Sequence, residues 1–403
     1  MRQLKYYNLF WGTILVLLII LSITYAFIST DAPYYLSIAR DISQGSIPYK
    51  DIFSSYTPVV MYLNSLIHFF FDDPAYHIFL AFQYLIIASS VWVFYKICQK
   101  EGLENVSAAF LSLFLFIAVL SSDGTYINLE VYLIFFVLLS YLMVLYRYFF
   151  MAGIFLSLSF FCKQYGIFNF LPFFLLVITL YGYQKKYLVK FLAGGVLPLI
   201  VFLFYFVFLE KVGIQDLALQ LTGSGYDQEM IELETTWFRF LAGSKVFLLL
   251  LLPLFLLRIN PFKDRISAIL IIGIVANLIP LYVQTVSHYF ILSFPYIFIL
   301  FARNFNKSNR IFFITSNLVL LIITGLLLSR IYRYREVYNE QLAVAAETRK
   351  EYSVGSEVFL YKHYRFLYIL NDYRNPVLKE VGYRYGFKPD LEFQKKYNVL
   401  IKD

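Results

Sequence analysis

The chain is divided into apolar runs long enough to cross a bilayer, and that pattern removes most soluble folds from consideration. A hydrocarbon core about 30 Å thick takes ~20 apolar residues of helix. Runs of this kind fall at residues 9–28, 77–95, 106–121, 130–147, 149–162, 166–182, 191–209, 245–257, 266–284, 288–302 and 311–329. Charged residues make up 15% of the chain, against the roughly 25% of an ordinary soluble domain. The runs predict an all-α polytopic membrane protein, a bundle of about 11 transmembrane helices. The first run follows Arg2 and Lys5, is too long for a signal-peptide core and has no small-residue cleavage site after it, so it reads as a retained helix.

The distribution of charge tests this set of spans. Cytoplasmic loops of membrane proteins carry an excess of Lys and Arg. With the N-terminus in the cytoplasm, the cytoplasmic segments hold 14 bases, from Arg2 to Arg310, and only Glu101, Glu104 and Asp264 as acids. The opposite loops hold six bases and 13 acids, six of the acids between Glu210 and Glu234. One missed or invented span would scramble this asymmetry. It predicts a multi-pass protein with the N-terminus in the cytoplasm and the C-terminus outside, and the expected location is the plasma (inner) membrane. The net charge of +8 is then a topology signal, and no nucleic-acid partner is implied. Cys98 and Cys162 fall at opposite membrane faces, which predicts no disulfide.

Two regions depart from the apolar pattern. The outer loop 29–76 opens with a long polar interruption, Thr30 to Pro58, and is expected to carry two interfacial helices. The first covers 33–44, with Asp31 as N-cap, Pro33 in the first turn and Gly45 at the stop. Tyr35, Ile38 and Ile42 fall on its apolar face, and Ser37, Arg40, Asp41 and Gln44 on its polar face. Asp41 and Lys50 read as solvated residues. The second helix, 57–71, is short and interrupted by Asn64 and His68, and suits the outer interface. The tail 331–403 is rich in Arg, Lys, Glu and Tyr. A helix over 332–351 and a strand at Val358–Tyr361 predict a small extracytoplasmic α/β cap beside a transmembrane module spanning 1–330.

Polar residues sorted by face point to the outer surface as the workplace. Asp31, Asp41, Asp51, Asp72, Asp73, Asp123, Glu130, Lys163, Gln164 and His288 all lie at or near outer helix ends. A carboxylate such as Asp31 can take the proton from an attacking hydroxyl; it can equally be a helix cap. Lys163 either reaches for the headgroups or holds a lipid phosphate. Asp31, Asp51, Asp123, Glu130 and His288 together offer the donors of a divalent-cation site. No P-loop, dinucleotide-binding glycine motif, Gly-x-Ser-x-Gly or His-Glu-x-x-His motif is present.

The stretch TDAPYYLSIARDISQGSIPYKDIF with YTPVVMYLNSL resembles the first outer loop of the membrane glycosyltransferases of GT-C type. This polyprenyl-phosphate-sugar-dependent group includes protein O-mannosyltransferases and the lipid A aminoarabinose transferase. NLEVYLIFFVLLSYLMVLYR is similar to that family's acid-led fourth helix, MAGIFLSLSFFCKQYGIFNFLP to its Lys-Gln helix pair, and SHYFILSFPYIFIL to its His-Tyr…Pro helix. The resemblance runs in order over residues 8–303. It implies that Asp31 is the catalytic carboxylate, acting as general base, and that Lys163 and Gln164 bind the donor phosphate. It further implies that Asp51, Asp123, Glu130 and His288 support the site, a metal or the acceptor. The implied reaction moves a sugar from a polyprenyl-phosphate donor in the outer leaflet to an acceptor hydroxyl on a glycan, lipid or protein of the cell envelope, with inversion. The chief alternative is a non-enzymatic transporter or flippase of lipid-linked glycans, which would carry midplane charges or internal repeats.

Overall fold

The computed structural model describes residues 2–29, 31–71, 75–221, 237–256, 264–283, 287–305, 310–360, 365–371, 373–374 and 399–400. Thr30, Asp72, Asp73 and the centre of the acidic loop 210–244 lie outside them. The elements, in chain order, are α1 (Arg2–Thr24), α2 (Ala32–Ser43), α3 (Val59–Phe70), α4 (Tyr76–Lys100) and α5 (Asn105–Val119), which runs into a π turn at Leu120–Gly124. Then come α6 (Leu129–Leu145), α7 (Phe149–Cys162), a 3-10 turn at Gln164–Asn169, α8 (Phe170–Tyr181) and α9 (Lys185–Leu203), which continues as a π segment, Phe204–Leu209. The remainder comprises α10 (Ile214–Leu221), α11 (Trp237–Leu256), α12 (Arg265–Ala276), α13 (Pro280–Val283), a 3-10 turn at Ser287–Ser293, α14 (Phe294–Asn304), α15 (Arg310–Glu351) and α16 (Leu367–Leu370). β1 (Phe359–Leu360) pairs in parallel with β2 (Val399–Leu400).

This is an all-α polytopic membrane protein. Among the described residues, five helices are long and apolar enough to cross a membrane, and six shorter apolar helices accompany them. The predicted runs fall on helical segments, but the run 266–284 is divided between α12 and α13, and the run 288–302 between a 3-10 turn and α14. The run 311–329 and the helix expected over 332–351 instead form a single 42-residue helix, α15. No helix breaker stands between them, so the backbone continues where the sequence turns from apolar to charged.

The chain forms two compact units. The first comprises residues 1–22, 83–201 and 234–330; the second comprises 23–82, 202–233 and 331–403. In the first unit α6 and α7 form a hairpin, tied by Ser140 Oγ donating to Ala152 O at 2.8 Å. α7 meets α9 at glycines: a Cβ on Gly153 would stand 2.1 Å from Phe191 O, and one on Gly194 would stand 1.9 Å from Phe150 O. Small residues let helix backbones approach this closely where lipid supplies no hydrophobic drive. Phe298 at the centre packs edge-on against Phe94, Phe114 and Phe301 at 5.3–5.8 Å between ring centroids. Such pairs contribute about 0.5–1.5 kcal/mol each beyond their burial. Polar side chains also tie the unit together. Tyr296 Oη and Asn277 Nδ2 both donate to Asn169 Oδ1, at 2.8 and 3.0 Å. Glu101 accepts from Arg303 Nη1 at 2.9 Å and from Tyr141 Oη at 2.8 Å. Cys98 and Cys162 are both free and buried.

In the second unit α2 packs along α3, and the tail joins them. Residues Ala32–Asp41 are all buried. This corrects the expectation of a solvated polar face on α2. Arg40 Nη1 and Nη2 donate to Tyr368 O at 3.3 Å and Tyr373 O at 3.1 Å, and Arg40 Nε lies 3.7 Å from Asp41. The Arg40 side of the face that amphipathicity assigns to water is therefore covered by Tyr368 and Tyr373 of the tail, while Gln44 stays exposed. Lys50 remains exposed, 3.5 Å from Glu210.

Candidate functional site

The first unit gathers Asp123, Glu130, Lys163 and His288 in one buried group. Asp123 lies in the π turn that ends α5 and has a left-handed backbone, φ +72°. A non-glycine residue is strained there, at a cost of about 1–3 kcal/mol. The segment returns to helix at Asn128, whose Oδ1 accepts from Glu130 N at 3.2 Å and caps α6. Lys163 holds an extended backbone between α7 and the 3-10 turn. That turn folds back so tightly that a Cβ on Gly166 would stand 2.5 Å from Phe160 N. His288 enters on the 3-10 turn that precedes α14.

Charge in this group is matched pair by pair. Lys163 Nζ donates to Glu130 Oε1, and Arg330 Nη1 donates to Asp123 Oδ1. Lys163 also lies over the ring of Tyr289, at 4.5 Å. His288 stands between the two acids, with Nδ1 3.9 Å from Asp123 Oδ2 and Nε2 3.7 Å from Glu130 Oε1. Both separations exceed a hydrogen bond, and His288 Nδ1 and Glu130 Oε2 are buried without hydrogen-bond partners. Burying an ion costs several kcal/mol, which only a close partner offsets; here each acid has one. Gln164 begins the 3-10 turn, half-buried beside Lys163. Arg330 was not singled out in the sequence. The signal for it is its position, the first charge after the apolar run of α15.

Asp31 and Asp51 belong to the second unit. Asp31 precedes α2, but its side chain caps nothing. This corrects the expected N-cap. Ser29 Oγ accepts from Ala32 N at 3.2 Å, and it is the Asp31 carbonyl that receives Tyr34 N at 3.0 Å. The carboxylate is half-buried, and no hydrogen bond or ion pair to it is found among the described residues. Asp51 is committed to its own turn: Oδ2 accepts from Ile47 N at 2.9 Å. Within that turn Tyr49 takes a left-handed backbone, φ 68°. Its buried hydroxyl, pushed well up by burial, donates to Tyr56 O at 2.6 Å. Tyr34, Tyr35 and Tyr56 meet edge-on at 4.9–6.0 Å.

Among the described residues, no three of His, Cys, Asp and Glu converge in a way that could hold a metal ion. Asp123 and Glu130, which the sequence offered as cation ligands, take Arg330 and Lys163 instead.

The helices and this group define the class, a polytopic membrane protein with buried, internally neutralised charge. No family model matches the sequence, and no curated relative does. Among solved structures, the chain is similar to the crystal structure of the Archaeoglobus fulgidus oligosaccharyltransferase in complex with Zn and sulfate. Identity is 13% and the TM-score 0.44, over 91% of this chain and 62% of that one. The chain thus spans less than two thirds of that protein's length.

Proposed function

We propose that this protein is an integral-membrane glycosyltransferase. It moves a sugar from a polyprenyl-phosphate donor to an acceptor hydroxyl at the extracytoplasmic face, with inversion. The observation that carries this reading is the Asp31 carboxylate, half-buried at a helix start and without a partner among the described residues. A general base must be free to accept a proton and held where the substrate arrives. Asp31 takes the hydroxyl proton, the acceptor oxygen bonds to the anomeric carbon, and the bond from that carbon to the phosphate oxygen breaks, its electrons leaving with polyprenyl phosphate. Lys163 and Gln164 offset the charge that develops there. An ammonium has three donors, and among the described residues the side chain of Lys163 donates a hydrogen bond to Glu130. Donor phosphate is its second partner. Glu130 fixes Lys163 in place with His288 and Asp123 beside it, and Asp51 supports the loop through Ile47 N.

The buried group of Asp123, Glu130, Lys163, His288 and Arg330 favours a second reading. Charges inside apolar units line the pathways of transporters, and a flippase of lipid-linked glycans would use them without breaking a glycosidic bond. The test is release of polyprenyl phosphate from a radiolabelled polyprenyl-phosphate hexose by the purified full chain in nanodiscs, with wild type and Asp31→Asn compared. The glycosyltransferase reading expects release by wild type and none by Asp31→Asn. Movement of intact donor between leaflets with no release would establish the flippase.

A further inference from the structure

Three buried glutamines, none of them acidic, basic or nucleophilic, each grip the backbone of an irregular segment. Gln83, on α4 in the first unit, donates from Nε2 to Gly124 O at 3.0 Å and Tyr126 O at 2.7 Å, and accepts at Oε1 from Asn128 N at 2.7 Å. Gln220, on α10 in the second unit, donates to Tyr49 O at 2.9 Å and accepts from Ser54 N at 2.9 Å. Gln341, on α15 in the second unit, accepts from Ile28 N at 3.3 Å and donates to Ile28 O at 2.9 Å. A carboxamide carries the same donor and acceptor as a peptide group. Each glutamine therefore stands in for a neighbouring strand that the segment lacks.

From this geometry we infer that Gln341 is the positioning residue of Asp31, an inference that rests on the proposed role of Asp31 as base. The path is short. Gln341 locks both polar groups of Ile28, the next residue, Ser29, holds the first turn of α2 through Ala32 N, and Asp31 lies between. Phe27 is stacked on Tyr334 one residue earlier, at 4.5 Å, and its carbonyl accepts from Tyr76 Oη at 3.1 Å. Asp31 has no side-chain bond to orient it among the described residues, so its address comes from this backbone. Loss of the Gln341 clasp loosens residues 25–29 and, through the Ser29 bond to Ala32 N, the first turn of α2 that carries Asp31, while the far end of α2 stays held by Arg40. A base displaced by about 1 Å loses on the order of 100-fold in rate. The loss falls on kcat and leaves donor KM unchanged, because the donor is held elsewhere.

The test compares full-length Gln341→Leu, Gln341→Glu and Gln220→Leu in nanodiscs. Hydrogen–deuterium exchange is read on peptides covering 25–36 and 47–56, alongside hexose transfer from a labelled polyprenyl-phosphate hexose. Gln341→Leu should raise exchange in 25–36 about tenfold with 47–56 unchanged, and lower kcat about 100-fold at constant KM. Gln341→Glu keeps the acceptor for Ile28 N and should recover part of both. Gln220→Leu should show the reverse exchange pattern. Unchanged exchange in 25–36 for Gln341→Leu overturns the clasp, and raised exchange with unaltered kcat overturns its positioning role. Full transfer by Asp31→Asn instead overturns the catalytic reading of Asp31, and with it the positioning role, while the exchange data still decide the clasp.

Discussion

The two units treat their carboxylates in opposite ways. In the first, Asp123 and Glu130 are buried, and each is matched to a cation on a different element. In the second, Asp31 is half-buried, unmatched among the described residues, and held only through its backbone. A carboxylate committed to a cation is poorly placed to take a proton from substrate, but it can hold that cation still. An uncommitted carboxylate adds little to stability and is free to react. The contrast separates carboxylates that each hold a cation from one that is left uncommitted among the described residues.

The sharpest way to break that contrast is to neutralise the free acid. Asp31→Asn should lower sugar transfer about 10³-fold or more, within the range assigned to general bases, with expression and membrane insertion intact. Retained transfer would move the base elsewhere. On the matched side, Glu130→Ala leaves Lys163 buried without its partner and should cost about 3–5 kcal/mol, read as a lowered Tm, whereas Asp31→Ala should leave Tm nearly unchanged. Equal Tm for the two variants would erase the distinction. The exchange Glu130→Lys with Lys163→Glu keeps a pair and most of the stability but moves the positive charge. It should raise the donor KM about tenfold, the ~1.4 kcal/mol scale of a charge-assisted hydrogen bond, and an unaltered KM would remove Lys163 from the phosphate.

The smallest effect concerns Asp264, which caps α12. Burial tends to raise its carboxyl, but hydrogen bonds from Ser267 and Ile266 N outweigh this and hold it below the ordinary Asp range. A depressed folded-state value means that the group stabilises the fold above its unfolded value, about pH 4, and that this contribution fades as pH falls through the folded value. Asp264→Ala should cost about 1 kcal/mol at neutral pH, with the difference from wild type shrinking in acid. A difference independent of pH would mean that the carboxylate is not the cap.

Much of the fold was legible because lipid imposes a simple rule: a spanning segment must be apolar and must satisfy its own backbone. Most of the apolar runs and the position of α2 follow from local composition and spacing. The site was legible only in part. Asp123, Glu130, Lys163 and His288 could be named one at a time as polar residues at helix ends, but their grouping is long-range. The pairing of Arg330 is invisible to local spacing because its partner lies 207 residues away. Asp41 was assigned to water because periodicity cannot see the tail that covers α2.

The sequence by itself determined which segments are helical and where charge stands along them, since hydrophobic length and the cost of unpaired backbone in lipid act locally. Only the tertiary structure decided which charges are matched. It paired Asp123 with Arg330 and Glu130 with Lys163, gave the α2 cap to Ser29, and left Asp31 without a partner among the described residues. Matching a charge requires two side chains within about 4 Å, a condition that depends on how distant helices pack.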